Sequence, residues 1–125
     1  LDDGCELSST SGSWVVSVTN PQSQCGSSPS TVSAPRMVSS RGVGDSGAKV
    51  NVKALQSDDA TAATSVAFNG FGRVVNTAPI ARLDITGVNS AVTYRNLRIA
   101  ITPAGQIRMC DPNVSSASDP RKCEE

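Results

Sequence analysis

Five arginines, Arg73, Arg82, Arg95, Arg98 and Arg108, stand between Ala60 and Cys110 against a single acid, Asp84. Guanidinium groups grip phosphate oxygens in a bidentate way, and a row of them on a strand can follow a nucleic-acid backbone without reading its sequence. Arg98 and Arg108 would form the centre of such a row. Arg95 stands at its entrance, and Arg121 and Lys122 follow in the tail. The plainer alternative is a set of solvated strand residues, partly neutralised by Asp111, Asp119, Glu124 and Glu125.

Enzymatic equipment is missing. With no histidine there is no Ser-His-Asp or Cys-His site, and the chain has no G-x-S-x-G, P-loop or G-x-G-x-x-G. Asp58 and Asp59 are adjacent on a polar stretch and read as solvated acids. The expectation is a non-enzymatic protein with no catalytic residue and no cofactor. Eleven basic and eleven acidic residues leave no net charge, so no global field draws the whole chain to nucleic acid or membrane.

The four cysteines allow three pairings. A zinc site would need all four thiolates at spacings unlike the usual patterns, so no metal is expected. Local pairing, Cys5–Cys25 and Cys110–Cys123, is expected because each pair brackets a turn-rich loop. Disulfides imply an oxidising compartment.

The element that must position the arginines is Tyr94 to Asp111. Leu97, Ile99 and Ile101 alternate with Arg98, Ala100 and Thr102, and Ile107 and Met109 alternate with Gln106 and Arg108. Side chains of a strand alternate between faces, so each run has an apolar and a polar side. Pro103-Ala104-Gly105 supplies the φ that opens a type I turn and the left-handed residue that closes it as a bulge. That loop sets the register. Ile101 faces Ile107, Ile99 faces Met109 and Ala100 faces Arg108, with the aliphatic set buried and Arg98 diagonal to Arg108 on the outer face.

Further strands are expected at Trp14–Val18, Thr31–Ser40, Lys49–Leu55 and Ile80–Ile85, with a second hairpin at Ser65–Val75. Pro35 argues for an edge or a bulge. Gly42–Gly47 and Thr86–Ser90 read as turns, and Gln56–Thr64 as a polar connection with room for one helical turn. No linker divides residues 1–125. The fold class is all-β, a single-domain antiparallel sandwich or open barrel of about seven or eight short strands with two disulfides.

From Tyr94 to Lys122 the chain resembles the C-terminal part of the minor pilins and pseudopilins of the FimT/FimU and GspH family. RNLRIAITPAGQIRMCDP and SASDPRKC carry the likeness, supported by Ser13-Trp14-Val15-Val16 and by Val66-Ala67-Phe68-Asn69 running into Gly72-Arg73-Val74. The resemblance implies a pilin-type globular head whose tail, 110–123, is closed by a disulfide loop. It implies a subunit of a type IV pilus or its tip complex, or of a type II secretion system, with other minor and major pilins as partners. The head would lie in the periplasm or on an extracellular pilus. It would meet the membrane only through a long N-terminal helix, and without that helix at least one apolar groove is expected to stand open. FimT-like proteins are also implied to bind double-stranded DNA in natural transformation through Gly-Arg-x-Arg. Gly105, Gln106, Ile107 and Arg108 match that motif, with Gln106 in place of its first arginine. The DNA-binding set this implies is Arg95, Arg98, Gln106, Arg108, Arg121 and Lys122. A secreted β-sandwich module binding carbohydrate or protein is the alternative from another class.

Overall fold

The computed structural model describes every residue except Asp3, Gln22, Ser46, Gly47, Ala48, Ser90 and Glu125, and the side chain of Val43. The ends of the expected turns at Gly42–Gly47 and Thr86–Ser90, and the acid expected at Glu125, therefore lie outside the described residues.

Alternating β-branched and polar residues form six strands among the described residues: β1 (Trp14–Ser17), β2 (Met37–Arg41), β3 (Val50–Leu55), β4 (Arg82–Gly87), β5 (Leu97–Ile101) and β6 (Ile107–Cys110). The only helix among them is a single 3-10 turn at Val43–Asp45, so none is long and apolar enough to cross a membrane. Strands β1 and β2 pair antiparallel, with an irregularity between Val16 and Ser17. Beside Pro35 the ladder runs on through Val18 N–H to the Arg36 carbonyl and Thr19 N–H to the Pro35 carbonyl. Strands β3, β4, β5 and β6 form an open antiparallel sheet in that order. The fold is thus all-β with two antiparallel sheets.

The strand count is six rather than seven or eight because the Ser65–Val75 segment makes only one bridge, Phe68 to Val74. Side chains take donors that a longer ladder would use. Asn69 Oδ1 accepts from Phe71 N–H and Arg73 N–H, and Asn76 Oδ1 accepts from Ala67 N–H.

The β5–β6 hairpin has the expected register, with Ile101 opposite Ile107, Ala100 opposite Arg108 and Ile99 opposite Met109. Gly105 N–H donates to the Thr102 carbonyl at 2.8 Å, and Gly105 takes φ 85°, the left-handed conformation that glycine adopts without steric cost. Cys110 is bonded to Cys123, and Cys5 to Cys25.

The hairpin's aliphatic side is only partly buried: Leu97, Ile99 and Ile101 are half-buried, and Ile107 and Met109 are exposed. The register puts Val50, Val52, Ala54, Leu83, Ile85, Leu97, Ile99, Ile101, Ile107 and Met109 on one face of the sheet. Only Ala54 is fully buried, while Val50, Ile107 and Met109 are 45%, 61% and 60% exposed. The fully buried aliphatic side chains are few and small apart from Met37 and Leu55. The chain's accessible surface is 8384 Å². A folded monomer of 12.8 kDa would expose about 6,300 Å². The excess, about 2,100 Å², is well above the roughly 800 Å² that one partner gives to a standard interface.

Candidate anion-binding face and its groove

The opposite face of the same sheet is polar, because residues one step along each strand point the other way. Lys53 faces Asp84, Asp84 faces Arg98, and Arg82 faces Ala100, which faces Arg108. Arg98 and Arg108 are therefore diagonal neighbours on this face, as their spacing predicts.

Each arginine on this face has a carboxylate. Arg98 Nε donates to Asp84 Oδ1 at 2.7 Å. Arg82 reaches the other oxygen of Asp84 at 3.1 Å and Asp59 at 2.5 Å. The Arg82–Asp84 approach is an ion pair without hydrogen-bond alignment, since Arg82 Nε is buried and unsatisfied. All three side chains, Arg82, Asp84 and Arg98, are about a fifth exposed or less, so this pairing is only weakly screened by solvent.

The tail supplies the rest. The Cys110–Cys123 bond folds residues 111–123 back onto β6. Asp111 N–H donates to the Arg121 carbonyl, and Asp111 bridges Lys122. Arg108 pairs with Glu124 at 2.5 Å, and its other terminal nitrogen lies 3.4 Å from the Pro120 carbonyl. Arg95 donates to Asp111 at 2.9 Å. The Asn113 backbone N–H, first, and Arg95 beside it hold the Asp111 carboxyl below the usual carboxylate range. Arg121 grips Asp119 through two nitrogens, at 2.9 and 2.6 Å. Those bonds pull Asp119 down to about 2 and raise Arg121.

Between the tail and the outer face of β5–β6 lies a groove of about 610 Å³, lined by Arg98, Arg108 and Lys122 with Asp119 and Glu124. Of the six expected site residues, Arg98, Arg108 and Lys122 converge on it. Arg95 and Arg121 do not line it: Arg95 is spent on Asp111, and Arg121 on Asp119 at the groove's edge. Gln106 sits exposed at the turn end, its N–H on Thr102 Oγ1. Glu124 neutralises Arg108 as the sequence suggests, whereas Asp84 has no role legible in the sequence. Arg82 and Asp84 share one face by strand alternation, a signal visible in the sequence, but the β4–β5 register that brings Arg98 to Asp84 is not.

A basic groove with matched acids can seat a polyanion only by displacing its own carboxylates. No family model, curated protein or solved structure matches this chain.

Proposed function

We propose that this chain is the head of a minor pilin or pseudopilin, a non-enzymatic subunit that helps assemble a type IV pilus or its tip complex. The observation that carries the proposal is the open apolar face of the β3–β6 sheet, with Ile107 and Met109 mostly exposed. A sheet needs its apolar side covered, and the family resemblance supplies the cover, a long apolar helix of the same polypeptide. The disulfide-closed tail on the last strand suits the same reading and belongs in the periplasm or outside the cell.

The test is expression of the full reading frame that contains this chain, with a photo-crosslinking residue at position 99 on the apolar face or at position 53 on the polar face. The expected result is crosslinking to an apolar helical segment of the same polypeptide from position 99 and not from position 53. A short secretory signal with no such helix, and no crosslink from position 99, contradicts the proposal and favours the secreted binding module.

A second reading is DNA capture, supported by Arg98, Arg108 and Lys122 lining one groove. Asp84 and Glu124 already hold two of these cations, so binding would be weak and would fall steeply with salt. A gel-shift titration at two salt concentrations tests it. Loss of the shift in Arg108→Ala supports DNA capture, and no shift at low salt and high protein concentration ends it.

A further inference from the structure

The hairpin tip Asn69–Arg73 carries a feature that neither the sheet face nor the groove explains. Phe71 is 91% exposed, yet the loop that holds it is tightly built. Asn69 closes it from both sides. Its N–H donates to the Arg73 carbonyl and its carbonyl accepts from Gly72 N–H, each at 2.9 Å. Its side-chain oxygen accepts from Phe71 N–H and Arg73 N–H, each at 3.0 Å.

The loop is also braced from outside. Gly105 of the β5–β6 turn packs directly on the Gly72 carbonyl, and Val74 N–H donates to the Pro103 carbonyl at 3.1 Å. The brace sets the tip at the turn end of the four-stranded sheet, against Gly105, which lies two residues before exposed Ile107. Phe68 and Val75 of the same hairpin are exposed as well. Among the described residues Arg73 has no carboxylate partner, unlike Arg82, Arg95, Arg98, Arg108 and Arg121.

A large aromatic side chain held on a rigid loop loses little conformational freedom on binding, and such side chains dominate protein interfaces. We infer that Phe71 is the anchor by which this subunit docks on the head of a neighbouring pilin-type subunit, in an apolar socket with a carboxylate placed for Arg73. The inference rests on the pilin reading for its partner and on the loop for its geometry. A protein socket fits better than a bilayer. One aromatic ring and one cation on a chain of zero net charge give a membrane surface little to hold, and a rigid loop matches a shaped pocket.

The test measures binding of the intact subunit to each of the other pilin subunits of its own system, purified, by biolayer interferometry. Phe71→Ala is expected to weaken one such interaction about tenfold or more, with an unchanged unfolding midpoint because the side chain is already in solvent. Phe71→Trp is expected to retain it. Asn69→Ala keeps the ring but frees the loop, and is expected to weaken the same interaction through faster dissociation. Arg73→Glu is expected to weaken it further. Wild type and Phe71→Ala binding a pilin equally overturns the anchor and leaves the pilin reading standing. No binding to any pilin subunit overturns both. Phe71-dependent flotation with vesicles of anionic phospholipid, with subunit binding unaffected, assigns the loop to a membrane and also overturns the inference.

Discussion

Gly105 lies against the carbonyl of Gly72 so closely that a β-carbon built on Gly105 would stand 1.7 Å from that oxygen. This contact locks the β5–β6 turn to the tip of the Ser65–Val75 hairpin. The atom in the way is backbone, so no rotamer change relieves the overlap. Gly105→Ala must therefore move one of the two turns and also place alanine at φ 85°. A loss of about 3 kcal/mol is expected. Gly72→Ala shares the positive φ but meets open space, so about 1 kcal/mol is expected. Urea unfolding of the two variants checks the difference. Equal losses would mean that conformation alone matters at both positions.

Asp84 is shared by Arg82 and Arg98 on the polar face. Removing it strands the largely buried Arg98 and leaves Arg82 with Asp59 alone, so Asp84→Ala is expected to cost about 2 kcal/mol. Adding Arg98→Ala to that variant is expected to cost little more, because the pair acts as one unit. A double-mutant cycle from denaturant midpoints measures the coupling, and strictly additive losses would refute it.

The reach of sequence reasoning follows from how local each interaction is. The β5–β6 register was legible because Pro103-Ala104-Gly105 is a turn that determines its own strand pairing. Both disulfides were legible because each closes a short loop. Long-range pairing was not, so Asp84 stood in the sequence as a lone acid while Arg98 reached it across β4–β5. The Ser65–Val75 hairpin read as two strands, but Asn69 and Asn76 compete for its backbone donors. The aliphatic alternation at Leu97–Ile101 and Ile107–Met109 showed which side is apolar. It could not show that this side is left open, because alternation reports polarity and not what packs against it.

The Cys110–Cys123 bond holds the tail that carries Asp119, Lys122 and Glu124. The double variant Cys110→Ser, Cys123→Ser is expected to lose about 3 kcal/mol, the chain-entropy value for a loop of this size. It should also release Glu124 from Arg108. Guanidinium unfolding of this variant, with Cys5–Cys25 left intact, measures the loss. A midpoint equal to the wild type would show that the tail is held without the bond.

Asp111 and Asp119 both ionise more readily in the folded chain than their reference value of 3.8. The folded state therefore binds fewer protons than the unfolded one in this range. Their contribution is fully present above that value and is lost as the pH falls through the folded values, about 2 for Asp119. The tail is expected to keep its structure from neutral pH down to about 4 and to loosen below it. Arg121→Ala, which removes the main cause of the Asp119 shift, should return that carboxyl toward 3.8. Carboxyl-carbon NMR titration follows both groups. An Asp119 midpoint unmoved by Arg121→Ala would contradict the assignment.

The chain contains its own reporter for the uncovered sheet face. Met109 lies on that face, 60% exposed, whereas Met37 is 2% exposed in the core. Hydroxyl-radical footprinting can compare the two in the isolated chain and in the full-length subunit assembled with its partners. The expected result is rapid oxidation of Met109 in the isolated chain, at least about fivefold protection of it in the assembled subunit, and slow oxidation of Met37 in both. Equal oxidation of Met109 in the two states would mean that nothing covers the apolar face, and the account of this chain as a head completed by a packed helix would be wrong.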